Sequence, residues 1–294
     1  MNNQRLQLTR PEHKMIQLFL SLGCWTGEKI DNGASRELDA LKNTKRETAK
    51  VSVHLVPTSA LKPIRNYDKA IRGVHENMTI PVRAGCAVLP SASWLKYRDT
   101  MVPMQQERAR LVTEFVDNTY ETIRAKAKVD MGDLFDEDKF PDPAELKGKF
   151  KFVIDQEPMP ANDRFLKLAG LSDEEKEMLY KDAEEEANKK AKYFHEEAFR
   201  KLLDPIEHII TVCNSESGRV SNTTFDRLQD VLDMADDYNL SDSDEFSRMV
   251  ASVRAKLAGT EREDIAGKAN EDSRKDYGTA AKEAMDEILK VMGK

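Results

Sequence analysis

Cysteine is scarce in this chain, aromatic residues are thin, and no apolar run is long enough to cross a bilayer. The three cysteines, Cys24, Cys86 and Cys213, are odd in number and far apart, which excludes a disulfide framework and a paired-thiol zinc site and points to a reducing compartment. The longest apolar stretch near the start, Met15 to Trp25, falls short of the roughly 20 residues that a spanning helix needs. It also lacks the basic front and small-residue cleavage site of a signal peptide. A soluble, cytoplasmic protein without membrane contact is expected. With 39% apolar, 7% aromatic and 34% charged residues, the composition suits long, partly exposed helices better than an enzyme built on a thick sheet core. A length of 294 residues still suffices to bury a sizeable core.

The usual chemical signatures are missing as well. No G-x-x-x-x-G-K-[ST] and no G-x-G-x-x-G follows a strand. The glycines of "GCWTGEK" hold Trp25 between them and read as a strand-ending turn. His13, His54, His75, His195 and His208 do not pair at metal-ligand spacing, and no Ser, Cys or Thr sits in a nucleophile turn. "DMGDLFDEDKFPD" is dense in carboxylate but lacks the ligand order of a calcium loop. A metal-dependent enzyme would have to rest on Asp130, Asp133, Asp136 and Asp138, a weak third choice. The expectation is no catalytic residues, no cofactor and no metal.

What is present is a polarity of charge. Residues 1–100 carry 16 Lys plus Arg against 9 Asp plus Glu, which leaves 30 against 44 of the total 46 and 53 for the rest. A basic region over 1–162 and an acidic one over 163–294 follow, with a seam in "EPMPAND" or a single continuous body. Such a dipole steers partners and favours head-to-tail contact between copies.

Periodicity supplies the elements. Alternation over "MIQLFLSLGCW" predicts a strand. A helix is predicted from Ala34 through Leu38, Leu41 and Val51, exposing Arg36, Lys42, Lys45, Arg46 and Lys50. A second, on Ile64, Tyr67, Ile71 and Val74, exposes Lys62, Arg65, Lys69 and Arg72 and is closed by Pro81. These nine cations are the candidate contacts with a protein or nucleic-acid partner. Trp25, Tyr67, Trp94 and Tyr97 are the aromatics that a nucleic-acid surface would use for stacking. "TIPVRAGCAVLPSAS" reads as a loop. A long helix runs from Trp94 to about Met131, with Pro103 as an early break. Phe150, Phe152 and Ile154 alternate as a strand that pairs with the first one, and Trp25, Trp94, Phe150 and Phe152 are the structural anchors.

A second long helix opens at "SDEE", where Ser172 and Glu175 form a capping box. Its seam of Leu179, Ala183, Ala187, Ala191, Phe194, Ala198, Leu202, Ile206 and Ile209 suits a coiled-coil-like partner winding slightly right-handed. Pro205 is expected to kink or end it. Three shorter helices follow, in "FDRLQDVLDMADDYNL", "EFSRMVASVRAKLAG" and "YGTAAKEAMDEILKVM". The expected fold is mainly α: an elongated bundle with two long antiparallel helices, a small two-stranded β element and a helical C-terminal cluster.

"WTGEKID" with "NTK", then "LPSASWLKY", and above all "GDLFDEDKFPDPAELKGKFKF" resemble a phage-associated family catalogued as domain of unknown function 3150, over residues 15 to 165. The resemblance implies no established activity and no catalytic residues. It does imply a phage or phage-derived gene near an AAA-type ATPase of the MoxR kind and a von Willebrand factor A-like protein, and a phage-infected bacterial host. A non-enzymatic adaptor that self-associates or docks on such an assembly is the expected function. The alternative is an accessory protein binding single-stranded DNA or RNA through its basic N-terminal helices.

Overall fold

Strand β1, Met15–Leu22, ends at Gly23, where the amide donates to Lys151 O at 2.9 Å and a Cβ would stand 3.1 Å from Lys149 O. Glycine is the residue that permits this approach of two backbones. The structure, a computed structural model, describes residues 14–158, 170, 172–215, 219–240 and 242–293. His13 and most of the "EPMPAND" seam lie outside them.

The chain is mainly helical with a small antiparallel sheet. After β1 come β2 (Glu28–Asp31), α1 (Asn32–Leu41), β3 (Val51–His54), α2 (Lys62–Met78), β4 (Ile80–Arg83) and β5 (Cys86–Pro90). Then follow α3 (Trp94–Glu114), a π-helical turn at Phe115–Tyr120, α4 (Glu121–Met131), α5 (Pro143–Gly148) and β6 (Phe152–Pro158). The remainder is α6 (Asp173–Cys213), α7 (Asn222–Met234), α8 (Asp244–Leu257), α9 (Arg262–Ile265) and α10 (Glu271–Val291). Two sheets form where a single two-stranded element was expected: one of order β4–β5–β1–β6, and a separate β2–β3 ribbon. The segment read as a loop contains β4 and β5, and all five residues of β5 are buried. The helix expected to reach Val51 stops at Leu41, and Val51 opens β3. Neither Pro103 nor Pro205 ends its helix.

Compactness divides the described chain into two units that do not follow the change of charge near residue 162. One holds 14–19, 75–97 and the described residues from 156 onward; the other holds 20–74 and 98–155.

In the first unit, α6 is 41 residues long, about 60 Å at 1.5 Å per residue. The capping box is formed: Glu175 N donates to Ser172 Oγ at 3.2 Å, and Ser172 N to Glu175 Oε2 at 2.8 Å. The later seam positions Phe194, Ala198, Leu202, Ile206 and Ile209 are buried. Helices α7 and α10 pack against α6, and α8 against α10. At Gly278 of α10 a Cβ would fall 2.9 Å from Cys213 Cβ, so glycine is what lets α10 lie this close to the last residue of α6. The end of α2 is finished in the same unit by side chains. Thr79 Oγ1 donates to His75 O at 2.7 Å, Lys201 Nζ to Glu76 O, and Tyr238 Oη to Asn77 O at 3.0 Å. A helix leaves its last carbonyls unpaired, and a cation there also meets the negative end of the macrodipole. Burial pushes the Lys201 ammonium down to about 8, with Arg227 acting in the same direction.

The second unit is organised around Arg108, which is 2% exposed. Its Nε donates to Asp68 Oδ1 at 2.5 Å, Nη1 to Phe150 O at 3.2 Å and Nη2 to Gly23 O at 2.7 Å. One side chain of α3 thereby holds α2, the turn after β1 and the approach to β6. Beside it, Trp25 meets Tyr120 edge-on at 5.7 Å and Phe115 at 6.5 Å, and Phe115 meets Phe150 at 5.9 Å. Trp25 and Phe150 therefore share one core as expected, whereas Phe152 is half-buried and outside it.

Candidate interaction site

The module from β2 to β3 lies within the second unit. The ribbon pairs Glu28 with His54 and Asp31 with Val51 in antiparallel register. Asp31 caps α1, accepting from Ala34 N at 2.9 Å, and pairs with Lys139 at 2.7 Å. The Lys139 hydrogen bond is the first cause holding the Asp31 carboxyl below its ordinary range. Ser35, buried on α1, donates to Asp31 O at 2.5 Å and accepts from Val51 N at 3.0 Å, fixing the helix to the ribbon.

Residues 42–50 leave this frame as an exposed loop organised by Asp39. Its carboxylate accepts from Thr44 Oγ1 at 2.9 Å, Thr48 Oγ1 at 2.8 Å, Thr48 N at 3.1 Å and Ala49 N at 3.0 Å. Partial burial pushes the Asp39 carboxyl up, but these bonds outweigh it and hold the carboxyl below its ordinary value. A short carboxylate that bonds nearby amides offers the backbone an alternative to continuing the helix, and Asn43 turns through a left-handed φ of 53°. Between α1 and the loop lies an open recess of about 660 Å³, bordered by Ile30, Ser35, Arg36, Asp39, Thr48 and Lys50.

Because a carboxylate pKa lowered by folding stabilises the fold above the unfolded value, the contribution of Asp39 is complete at neutral pH and is lost as pH falls through the folded value. Replacing Asp39 with Ala is expected to release the loop while leaving the helical content unchanged. Trypsin cleavage after Lys45 and Arg46 should accelerate several-fold, as followed by mass spectrometry. Equal cleavage rates in the two proteins would refute the organising role.

The structure brings five of the nine predicted cations to this module and leaves four elsewhere. Arg36 sits on α1, and Lys42, Lys45, Arg46 and Lys50 sit on the loop, not on a helix as expected; all are exposed. None has a carboxylate partner among the described residues. Lys62, Arg65, Lys69 and Arg72 recur on one face of α2 at steps of three and four. Two of these guanidinium groups serve the fold, Arg65 donating to Thr26 O at 2.8 Å and Arg72 to Leu22 O at 3.4 Å. Of the expected stacking aromatics, Trp25 and Tyr97 are buried, Trp94 is half-buried and stacked on Tyr97 at 6.2 Å, and Tyr67 is half-buried. The organisers Asp31, Ser35 and Asp39 were missed; the string "DNGAS", with an aspartate at the helix start and a serine four residues on, and the side-chain oxygens of Asp39, Thr44 and Thr48 within ten residues were the available signals.

Asp136 of the acidic turn caps a short 3₁₀ turn and lies 3.5 Å from Lys139, while Arg124 lies 3.8 Å from Glu137. Among the described residues no group of three or more His, Cys, Asp or Glu is gathered to hold a metal ion. No described helix is long and apolar enough to cross a membrane. No family model matches the chain, and no curated protein or solved structure matches it.

Proposed function

We propose that this chain is a non-enzymatic interaction protein of phage type, which docks on a larger assembly through the basic loop 42–50. The observation that carries this reading is how the charges are used. Of the five carboxylates in residues 28–54, those of Glu28, Asp31 and Asp39 are engaged internally, by His54 and Ser52, by Lys139, and by the loop itself, while Glu37 and Glu47 are exposed, against the six cations Lys29, Arg36, Lys42, Lys45, Arg46 and Lys50. The four loop cations have Glu47 and the loop-bonded Asp39 as nearby counter-charges, and none of the four is in an ion pair among the described residues. Unneutralised cations on an ordered loop select an anionic partner and accelerate encounter with it. The family likeness makes an AAA-type ATPase system the assembly to test first.

An acidic protein surface is favoured over nucleic acid by the burial of Trp25 and Tyr97. Binding to single strands draws much of its strength from bases stacked on exposed aromatics. Light scattering on the purified protein, with and without a single-stranded oligonucleotide at low and moderate salt, separates the two. Indifference to the strand is expected. A salt-sensitive shift onto the strand, abolished when Lys42, Lys45, Arg46 and Lys50 are changed to Glu, would replace this reading with nucleic-acid binding.

A further inference from the structure

Arg274 is a second buried guanidinium, 4% exposed, but unlike Arg108 it has no ion pair among the described residues. It stands in α10, one turn before Gly278, and its side chain runs back toward the helix start, as long side chains on helices do. There Nη1 donates to Gly267 O at 2.6 Å. Nε is buried without a partner, and Nη2 makes no hydrogen bond among the described residues. The carboxylates of this corner are committed elsewhere: Glu271 to Lys275 at 2.6 Å, Glu263 to Arg262 at 3.4 Å, and Asp264 to the amide of Glu261 at 3.1 Å. Asp272 and Asp276 of α10 are exposed.

Buried polar groups in folded proteins are hydrogen-bonded almost without exception, and a buried charge without a counter-charge is costly. Helix dipoles do not supply what is missing. Arg274 lies at the start of α10, where the dipole opposes a cation. Burial pushes the Cys213 thiol up and Arg274 opposes it, so the guanidinium also acts on the last residue of α6, where the dipole is favourable. A partial charge attracts a cation but accepts no hydrogen bond, and the carbonyls of Ile210 and Val212 at that end already accept from the amides of Asn214 and Ser215 at 3.0 and 3.2 Å. We propose that the Nε–Nη2 edge of Arg274 binds a small carboxylate. The bond from Nη1 to Gly267 O fixes the plane of the guanidinium, and the free edge presents two parallel N–H donors that match the two oxygens of a carboxylate. Charge selects the same class. A monoanion neutralises Arg274, whereas a phosphate dianion would add surplus negative charge to a first turn that already holds Glu271 and Asp272. The depth of Arg274 limits the ligand to a small, flat acid group. This site is separate from the basic loop and does not depend on its docking role.

Ligand-linked stability of the full chain tests this. Urea unfolding, followed by the helical circular dichroism band, is measured with acetate replacing chloride at constant ionic strength, and separately with inorganic phosphate. The wild-type midpoint is expected to climb with acetate, by about 0.5 M urea once acetate reaches ten times its dissociation constant. Arg274→Met removes the charge and keeps the bulk, so it should show only the general effect of the salt on stability. Arg274→Lys keeps the charge without the paired donors and should lose most of the response. Amide exchange over residues 262–285, read by mass spectrometry, should slow with acetate in the wild type and not in Arg274→Met. A midpoint that acetate moves equally in wild type and Arg274→Met, or in neither, overturns the proposal, and a larger response to phosphate than to acetate overturns the choice of a carboxylate. Should Arg274→Met fail to fold, the exchange rates of wild type and Arg274→Lys decide: equal slowing in both, or none in either, overturns it as well.

Discussion

Replacing Arg108 with Ala is expected to destabilise the unit of residues 20–74 and 98–155 by about 3–5 kcal/mol, the usual cost of stranding one partner of a buried ion pair. The charge left behind is Asp68, whose side chain is 11% exposed and has Arg108 at 2.5 Å. Removing both charges is a sharper experiment. An ion pair exchanged for apolar residues of similar volume is often neutral, so Arg108→Met with Asp68→Leu should recover much of the loss. It should not recover all of it. Arg108 also donates to the carbonyls of Phe150 and Gly23, and an unsatisfied buried acceptor costs about 1–3 kcal/mol. Urea unfolding should place the double variant between wild type and Arg108→Ala. Trp25 fluorescence, with Trp94 replaced by Phe, reports this unit, since Trp25 packs in the same core. A double variant as stable as wild type would show that the two carbonyl bonds contribute nothing, and a loss below about 1 kcal/mol for Arg108→Ala would remove Arg108 as the organising contact.

How much of this was legible in the sequence depends on which force decided each element. The start of α6 was legible because Ser172 and Glu175 act locally, within one turn. The shorter helices α7, α8 and α10 were legible because their apolar positions recur at helical spacing. Strand β5 was not: it lies between β4 and β1, is buried at every position, and shows no alternation to detect. The segment after Leu41 was misread for a different reason. Lys42 to Lys50 is compatible with a helix by propensity, but Asp39 gathers Thr44, Thr48 and Ala49 onto its carboxylate, and the chain turns back to pair Val51 with Asp31.

The candidate site shows the same division. The basic residues were visible as a list, while their separation into a free loop set and an α2 set was not. Arg65 and Arg72 look identical in sequence to Lys42 or Arg46, and only the carbonyls of Thr26 and Leu22 reveal that they serve the fold. The buried Trp25 and Tyr97 make the complementary point. An aromatic near basic residues reads as a stacking platform until burial assigns it to the core.

Phe199→Ala should cost the other unit about 3–5 kcal/mol, the range for removing a buried phenylalanine. Phe199 is one position beyond Ala198 and off the seam that the sequence periodicity defines, yet it is 2% exposed. Its ring meets Phe246 of α8 edge-on at 5.1 Å and His195 at 5.0 Å. A second buried face on α6 is required because α6 has neighbours beyond those on its seam. Burial pushes the His195 imidazole below its ordinary value, with Glu245 and Glu196 opposing. A histidine depressed by folding favours the folded state above its unfolded value, and that contribution is lost as pH falls through about 6.5 toward the lower folded value. The Ala variant opens this aromatic cluster to water and should move the His195 imidazole back toward its ordinary value. Two readouts therefore separate packing from chemistry: the urea midpoint should fall at every pH, while the acid-side slope of stability should flatten. Phe199→Leu, which refills most of the volume, should recover most of the midpoint. If Leu performs no better than Ala, the edge-on ring contacts and not the filled volume account for the stability of this cluster.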